Sequence, residues 1–131
     1  MHKIEENVSG SCGIPPQIVS ATAASATGAG VSLATYNNFA LGCQVAISTS
    51  TAPVIFYIVQ STDGTTYDAV ALATCTLTAG TTATSDVIEV RAEQLADGRT
   101  YVRGIYVATA ANTYQYIAAL NARFNPRFAA V

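Results

Sequence analysis

The sequence predicts an all-β chain folded as a two-layer antiparallel β-sandwich of Greek-key or jelly-roll type, preceded by an extended N-terminal arm. Three observations carry that prediction. Short runs rich in Thr, Val, Ile and Tyr alternate apolar with polar residues, turn residues recur at short intervals, and no stretch sustains helical spacing. The run Pro53-Val-Ile-Phe-Tyr-Ile-Val-Gln-Ser61 is apolar on both faces, the pattern of a central strand covered from two sides. The segment Leu95-Ala-Asp-Gly98-Arg-Thr-Tyr101 has the spacing of a tyrosine corner, in which a Tyr hydroxyl bonds back to the backbone where the chain crosses between sheets.

Taken in order, residues 1–17 hold Gly10, Gly13, Pro15 and Pro16 and show no periodicity, so they read as an extended arm outside the packed domain. The domain itself is expected over 18–122, with a contact tail at 123–131. Strands are expected at 18–24, 31–35, 39–49, 53–61, 66–72, 74–79, 85–91, 100–109 and 113–122. In the third, Cys43, Val45 and Ile47 face in while Gln44, Ala46 and Ser48 face out. Around Cys75 and Leu77, the threonines Thr74, Thr76 and Thr78 take the opposite face. Thr62-Asp63-Gly64-Thr65 supplies an Asp-Gly hairpin turn between the strand ending at Ser61 and one beginning at Thr66. For the doubly apolar strand, one cover is the second sheet and the other a neighbouring subunit.

Composition narrows the function. The 131 residues are 50% hydrophobic and 11% charged, with a net charge of −2. That is too apolar for disorder and the wrong sign for a nucleic-acid binder. No apolar run is long enough to span a bilayer. Soluble monomers carry about a quarter charged residues, so part of this surface is expected to be covered. The acidic opening Met1-His2-Lys3-Ile4-Glu5-Glu6 does not match a signal peptide, so Cys12, Cys43 and Cys75 are expected as reduced cytoplasmic thiols, the last two buried. Catalysis requires a nucleophile–base pair, a carboxylate dyad or a metal cluster. The one histidine, His2, lies in the arm, and no Cys-x-x-Cys or His-x-x-x-His spacing exists. Asp63 and Asp68 flank a hairpin and read as turn chemistry. No enzyme, metal or cofactor is expected.

The candidate functional residues are therefore contact residues. Five of the six basic residues are arginines, the side chain preferred for planar hydrogen-bonded contacts in dry interfaces. Arg91 and Arg99 have acids nearby to pair with. In the tail, Arg123 and Arg127 interleave with Phe124 and Phe128 around Pro126, either folding back or docking on a partner. Tyr57, Tyr114 and Tyr116 join them as amphipathic anchors, with Arg103 and the arm residues Ile4, Ile14 and Pro15. Asp63, Gly64, Leu95, Gly98 and Tyr101 are read as fold-determining.

In this order the features resemble small structural proteins of tailed-bacteriophage heads. An arm precedes Val31-Ser-Leu33-Ala-Thr-Tyr36. Then come Phe56-Tyr-Ile-Val-Gln60-Ser61-Thr-Asp63-Gly64-Thr-Thr-Tyr67, the strand Tyr101-Val102-Arg103 and the tail Asn125-Pro126-Arg127. The resemblance implies a virion component, made in the host cytoplasm, that decorates or cements the capsid surface. Its partners would be the major capsid protein and itself, with trimers at threefold positions as one arrangement. A neck or tail component of the same particle shares that chemistry. The Gln-Ser-x-Asp-Gly-Thr-Thr-aromatic and Tyr-Val-Arg pairing is also similar to discoidin-type jelly rolls, which implies a carbohydrate- or host-surface-binding sandwich as the alternative. The absence of tryptophan, the usual sugar-stacking platform, counts against it.

Overall fold

A computed structural model describes residues 8–21, 25–46, 53–78, 83–108 and 113–126. It is a sandwich of two antiparallel sheets. The strands are β1 (Val8–Ala21), β2 (Ser25–Thr27), β3 (Val31–Ser32), β4 (Tyr36–Val45), β5 (Val54–Ser61), β6 (Ala73–Leu77), β7 (Thr84–Arg91), β8 (Tyr101–Ala108) and β9 (Thr113–Pro126). One sheet runs β1-β9-β4-β7, the other β2-β8-β5-β6, with β3 also pairing with β8. We call these the first and second sheets.

Period-two alternation builds the core. Phe39, Leu41, Cys43 and Val45 of β4 and Ile117 and Ala119 of β9 face inward, meeting Val54, Phe56 and Ile58 of β5 and Val102 and Tyr106 of β8. Gly104 of β8 also points inward, and a Cβ there would lie 2.7 Å from a Leu41 methyl, so the two sheets approach closely at that point. Burial, with the Cys75 thiol beside it, pushes Cys43 far above the ordinary thiol range, and burial raises Cys75 as well. Cys12 is exposed on β1. A disulfide-exchange reagent is thus expected to titrate one thiol per native chain, and all three only after unfolding.

Three expectations change. Residues 8–17 are not an arm outside the domain but the first half of β1, paired with β9 from Val8↔Phe124 to Ala21↔Thr113. The glycine and prolines that break the periodicity sit at register shifts between Cys12 and Gln17. An edge strand tolerates such a bulge because only one side of it must donate to the ladder. Residues 123–126 likewise extend β9 and pair with both β1 and β4, so that part of the tail is sheet.

Residues 66–72 are not a regular strand. Ile58 pairs with Ala73, yet Ser61 bridges to Tyr67, so the register slips by three residues and the chain bulges outward. Val70, 75% exposed, sits on that bulge. The Asp68 and Leu72 amides still donate to Gln60 O and Ile58 O, both at 2.8 Å.

The third concerns Tyr101. The crossing from β7 to β8 does pass through Leu95, half-buried against the core, and Gly98 with φ 78°. Tyr101, however, pairs with Ser61 and points to the outside of the second sheet. Its ring lies 3.1 Å from the position a Cβ on Gly64 would take. Among the described residues its hydroxyl makes no corner bond to the backbone. Tyr101→Phe is therefore expected to change stability by less than about 0.5 kcal/mol, the range of a surface change, as measured by urea unfolding.

Candidate functional site

The described residues contain no group of three or more His, Cys, Asp or Glu side chains able to hold a metal. No described helix is long and apolar enough to cross a membrane. The Ser61–Thr66 turn is a closed hydrogen-bond system. Asp63 Oδ1 accepts from the Thr65 and Thr66 amides at 2.8 and 2.9 Å, while Ser61 Oγ accepts from the Gly64 amide at 3.0 Å and lies 2.5 Å from Thr66 O. Gly64 adopts φ 76°, which suits glycine. Asp68 is taken up by Arg99, Nε to Oδ2 at 3.1 Å and Nη2 to Oδ1 at 3.2 Å. Both carboxylates thus serve the turn.

The Thr66 and Thr65 amides hold Asp63 well below the usual carboxylate range. As pH falls, the unfolded chain takes up this proton first, so the contribution is complete above about pH 5 and fades below the ordinary aspartate value of about 4. Wild type should therefore lose more thermal stability between pH 5 and pH 3 than Asp63→Asn does. Parallel pH profiles would contradict this.

What the fold builds instead is two broad outer faces. On the second sheet, Ile55 and Tyr57 of β5 lie beside Ile105 and Val107 of β8, all half-buried with no part in the core cluster. Val59, 1% exposed, is next in line, and Arg103 is its cross-strand partner. Tyr67 swings over this end, with the Arg103 guanidinium 3.9 Å from its ring centroid. The Tyr67 hydroxyl reaches Gly30, where any Cβ would overlap it. Arg103 has that cation–π contact and no acidic partner among the described residues, and its Nε is buried without a hydrogen bond. This places a guanidinium without an acidic partner, among the described residues, at the head of an apolar stripe.

On the first sheet the outward residues of β9 are Tyr116, Ala118, Leu120, Ala122 and Phe124, opposite Ala46, Gln44, Gly42, Ala40 and Asn38 of β4. Of the five exposed large hydrophobics among the described residues, four lie on this face: Val8 at 38%, Val87 at 65%, Tyr116 at 53% and Leu120 at 65%. Tyr116 borders an open cleft of about 400 Å³ shared with Pro16, Gln17, Gln44 and Ala46. The strand edges are less available. Gln94 Oε1 accepts from the Arg91 amide and Asp86 Oδ1 from the Val87 amide, each at 2.7 Å, capping β7. The prolines and bulges of β1 blunt the opposite edge.

The structure divides the expected contact residues. Tyr57 and Arg103 come together on the second sheet's outer face, and Tyr116 and Phe124 share the first sheet's. Pro15 is exposed in the β1 bulge. Ile14 is fully buried in the core, because the bulge after Cys12 turns it inward against Ala119, and it is a packing residue of the sandwich. Arg123 is an internal clamp, since its position faces in beside Asn121. It donates to Ser32 O at 3.1 Å and Ser9 Oγ at 2.9 Å and lies over the Tyr36 ring. Arg123→Ala should cost about 2 kcal/mol of stability through these charge-assisted bonds, read from the urea midpoint. Ile4, Arg127 and Phe128 fall outside the described residues; Tyr114 lies in β9 with its side chain undescribed. Val87, Leu120 and Ile105 were missed in the sequence; the broken alternation on β7 and β9 was the available signal.

No protein-family model matches the sequence, and no curated protein matches it significantly. Solved structures do. The enzymatically active domain of bacteriophage CBA120 tailspike protein 4 is 12% identical with a TM-score of 0.63, over 89% of this chain and 18% of that one. The PBSX exported protein XepA is 15% identical with a TM-score of 0.61, over 94% and 39%. Infectious bursal disease virus, Gx strain, gives 14%, 0.60, 92% and 32%. The chain thus spans well under half the length of each of these proteins. At such identities the likeness is one of fold: this chain is a β-sandwich of a kind found in viral and phage proteins.

Proposed function

We propose that the chain is a non-enzymatic structural component of a virion, one that decorates or cements a bacteriophage head by bridging subunits of the major capsid protein at the capsid surface. One observation carries the reading: each broad face of the sandwich bears an apolar stripe, Tyr116, Leu120 and Val87 on one and Ile55, Tyr57, Ile105 and Val107 on the other, where a free-standing sandwich presents polar residues in alternation with its core. Surface that is costly to wet gains free energy when neighbours cover it. Contacts to several subunits add through avidity, and binding only the assembled shell stabilises it by mass action. The unpaired Arg103 suits an acidic rim on such a neighbour. The occurrence of the fold in infectious bursal disease virus, in a bacteriophage tailspike protein and in a phage exported protein supports a place in a particle.

The test is to purify intact particles and quantify the chain before and after mild heat. A copy number matching the capsid subunits supports decoration. A few copies per particle supports the neck or tail instead, and absence overturns the virion reading. A second reading, carbohydrate or host-surface binding, is favoured by the exposed Tyr116 ring flanked by the Gln17 and Gln44 amides in the open cleft. Binding on a glycan array that Tyr116→Ala abolishes supports it; an array without signal ends it.

A further inference from the structure

We infer that the outer face of the first sheet is a twofold self-association surface, its occupant a second copy of this chain. The inference rests on the structural reading above and assigns one face to the copy, leaving the Arg103 face for the shell.

The face is complementary to itself in shape. On this face β9 is a ridge and β4 a groove. Leu120, 65% exposed, is paired across the ladder with Gly42, and Tyr116 lies opposite Ala46. Gly42 leaves a notch walled by Leu120 on one side and Val87 on the other. Two identical faces meet about an axis lying in the plane between them. An axis running along the strands, midway between β9 and β4, sets each ridge over the other copy's groove. Leu120 then enters the notch above Gly42 of the second copy, and Tyr116 covers its Ala46. The outer strands agree as well: Val87 on β7 meets Cys12 on β1, the two residues flanking the Leu120–Gly42 pair. An axis across the strands would instead set Leu120 on Leu120.

Charge agrees with shape. The described charged side chains on this face, Glu89 and Arg91 of β7 and Glu93, which pairs with Arg91 at 3.5 Å just after that strand, lie at its β7 side, and the along-strand axis sets Glu89 and Arg91 over β1, opposite Gly10 and Val8. No like charges meet. Four strands from Tyr116 to Phe124 cover ~30 Å by ~19 Å, from strand rise and spacing. That is ~570 Å² per copy and ~1,100 Å² in all, just above the ~1,000 Å² expected of a specific interface.

The experiment is sedimentation of the full chain over a concentration series. Wild type is expected to be a dimer. Gly42→Val should weaken it at least tenfold although it leaves the fold intact: a Cβ at Gly42 has Leu120 O as its nearest neighbour at 3.9 Å, and valine favours a strand. Because association of folded chains raises the thermal midpoint, the fold of the variant is compared at a dilution where both proteins are monomers; equal midpoints there, with the dimer lost at higher concentration, are a result no defect in folding produces. Exchanging ridge and groove, Gly42→Leu with Leu120→Ala, should restore most of the affinity. Labelling of Cys12 should slow as wild-type concentration rises. A wild-type monomer at the highest soluble concentration overturns the dimer, as does a dimer insensitive to Gly42→Val. A monomer that still loads particles at full copy number overturns the dimer alone. A dimer absent from particles supports the self-association face and overturns the virion reading.

Discussion

Truncating Tyr106 to alanine is expected to destabilise the chain by about 3–5 kcal/mol, the cost of deleting a large aromatic side chain from a close-packed core. Tyr106 is fully buried, and its ring meets Phe56 at 5.4 Å, tilted by 59°. It projects from β8 towards the first sheet, so the cavity opens at the junction of the layers and cannot collapse without moving a strand. A domain of this size is stable by only about 5–15 kcal/mol, so the variant stands near the threshold of folding. The measurement is the urea midpoint at unchanged slope; a shift below 1 kcal/mol would mean that the sheets are not locked by this layer.

Ile105→Asp is expected to leave the fold intact and, on the function proposed above, to remove the chain from the virus particle. Ile105 is half-buried on the outer face of the second sheet, between Tyr57 of β5 and Thr27 of β2, and outside the core cluster. An aspartate there faces water in the free chain at little cost. Against a neighbour it must be desolvated, and two residues along the same face it neutralises Arg103. Several kcal/mol lost from each contact should lower occupancy on purified particles at least a hundredfold, with an unchanged circular dichroism spectrum. Ala96→Asp, exposed in the crossing between the two sheets, is the control and should retain full occupancy.

The sheet sandwich was legible because period-two alternation is a local signal: Cys43 and Val45 announce β4, Ile47 lying outside the described residues, and Cys75 and Leu77 announce β6. The apolar strand 53–61 was rightly placed at the centre of a sheet. Its outer cover is partly the chain itself, since Val59 is 1% exposed on that face and its cross-strand neighbour Arg103 stacks on the Tyr67 ring. Long-range register was not legible. Nothing local to Gly13, Pro15 and Pro16 says that β9 lies alongside them, and so the first strand read as an arm. The Leu-x-x-Gly-x-x-Tyr spacing found the crossing between sheets but not the side to which Tyr101 turns, which the pairing of Ser61 decides. Arg123 looked like a contact residue because composition alone does not distinguish an arginine facing Ser9 and Ser32 from one facing solvent. The ridge of β9 and the groove of β4 become one surface only once the two strands are neighbours.

The central claim is that both broad faces are covered when the chain is at work, and the tyrosines on them report this directly. Oxidative footprinting of the chain in its particle, and again after release and dilution, compares Tyr57 on the second sheet with Tyr116 on the first. Strong protection of both rings in the particle and loss of it on release is the predicted result. Equal modification of both rings in the two states would contradict it.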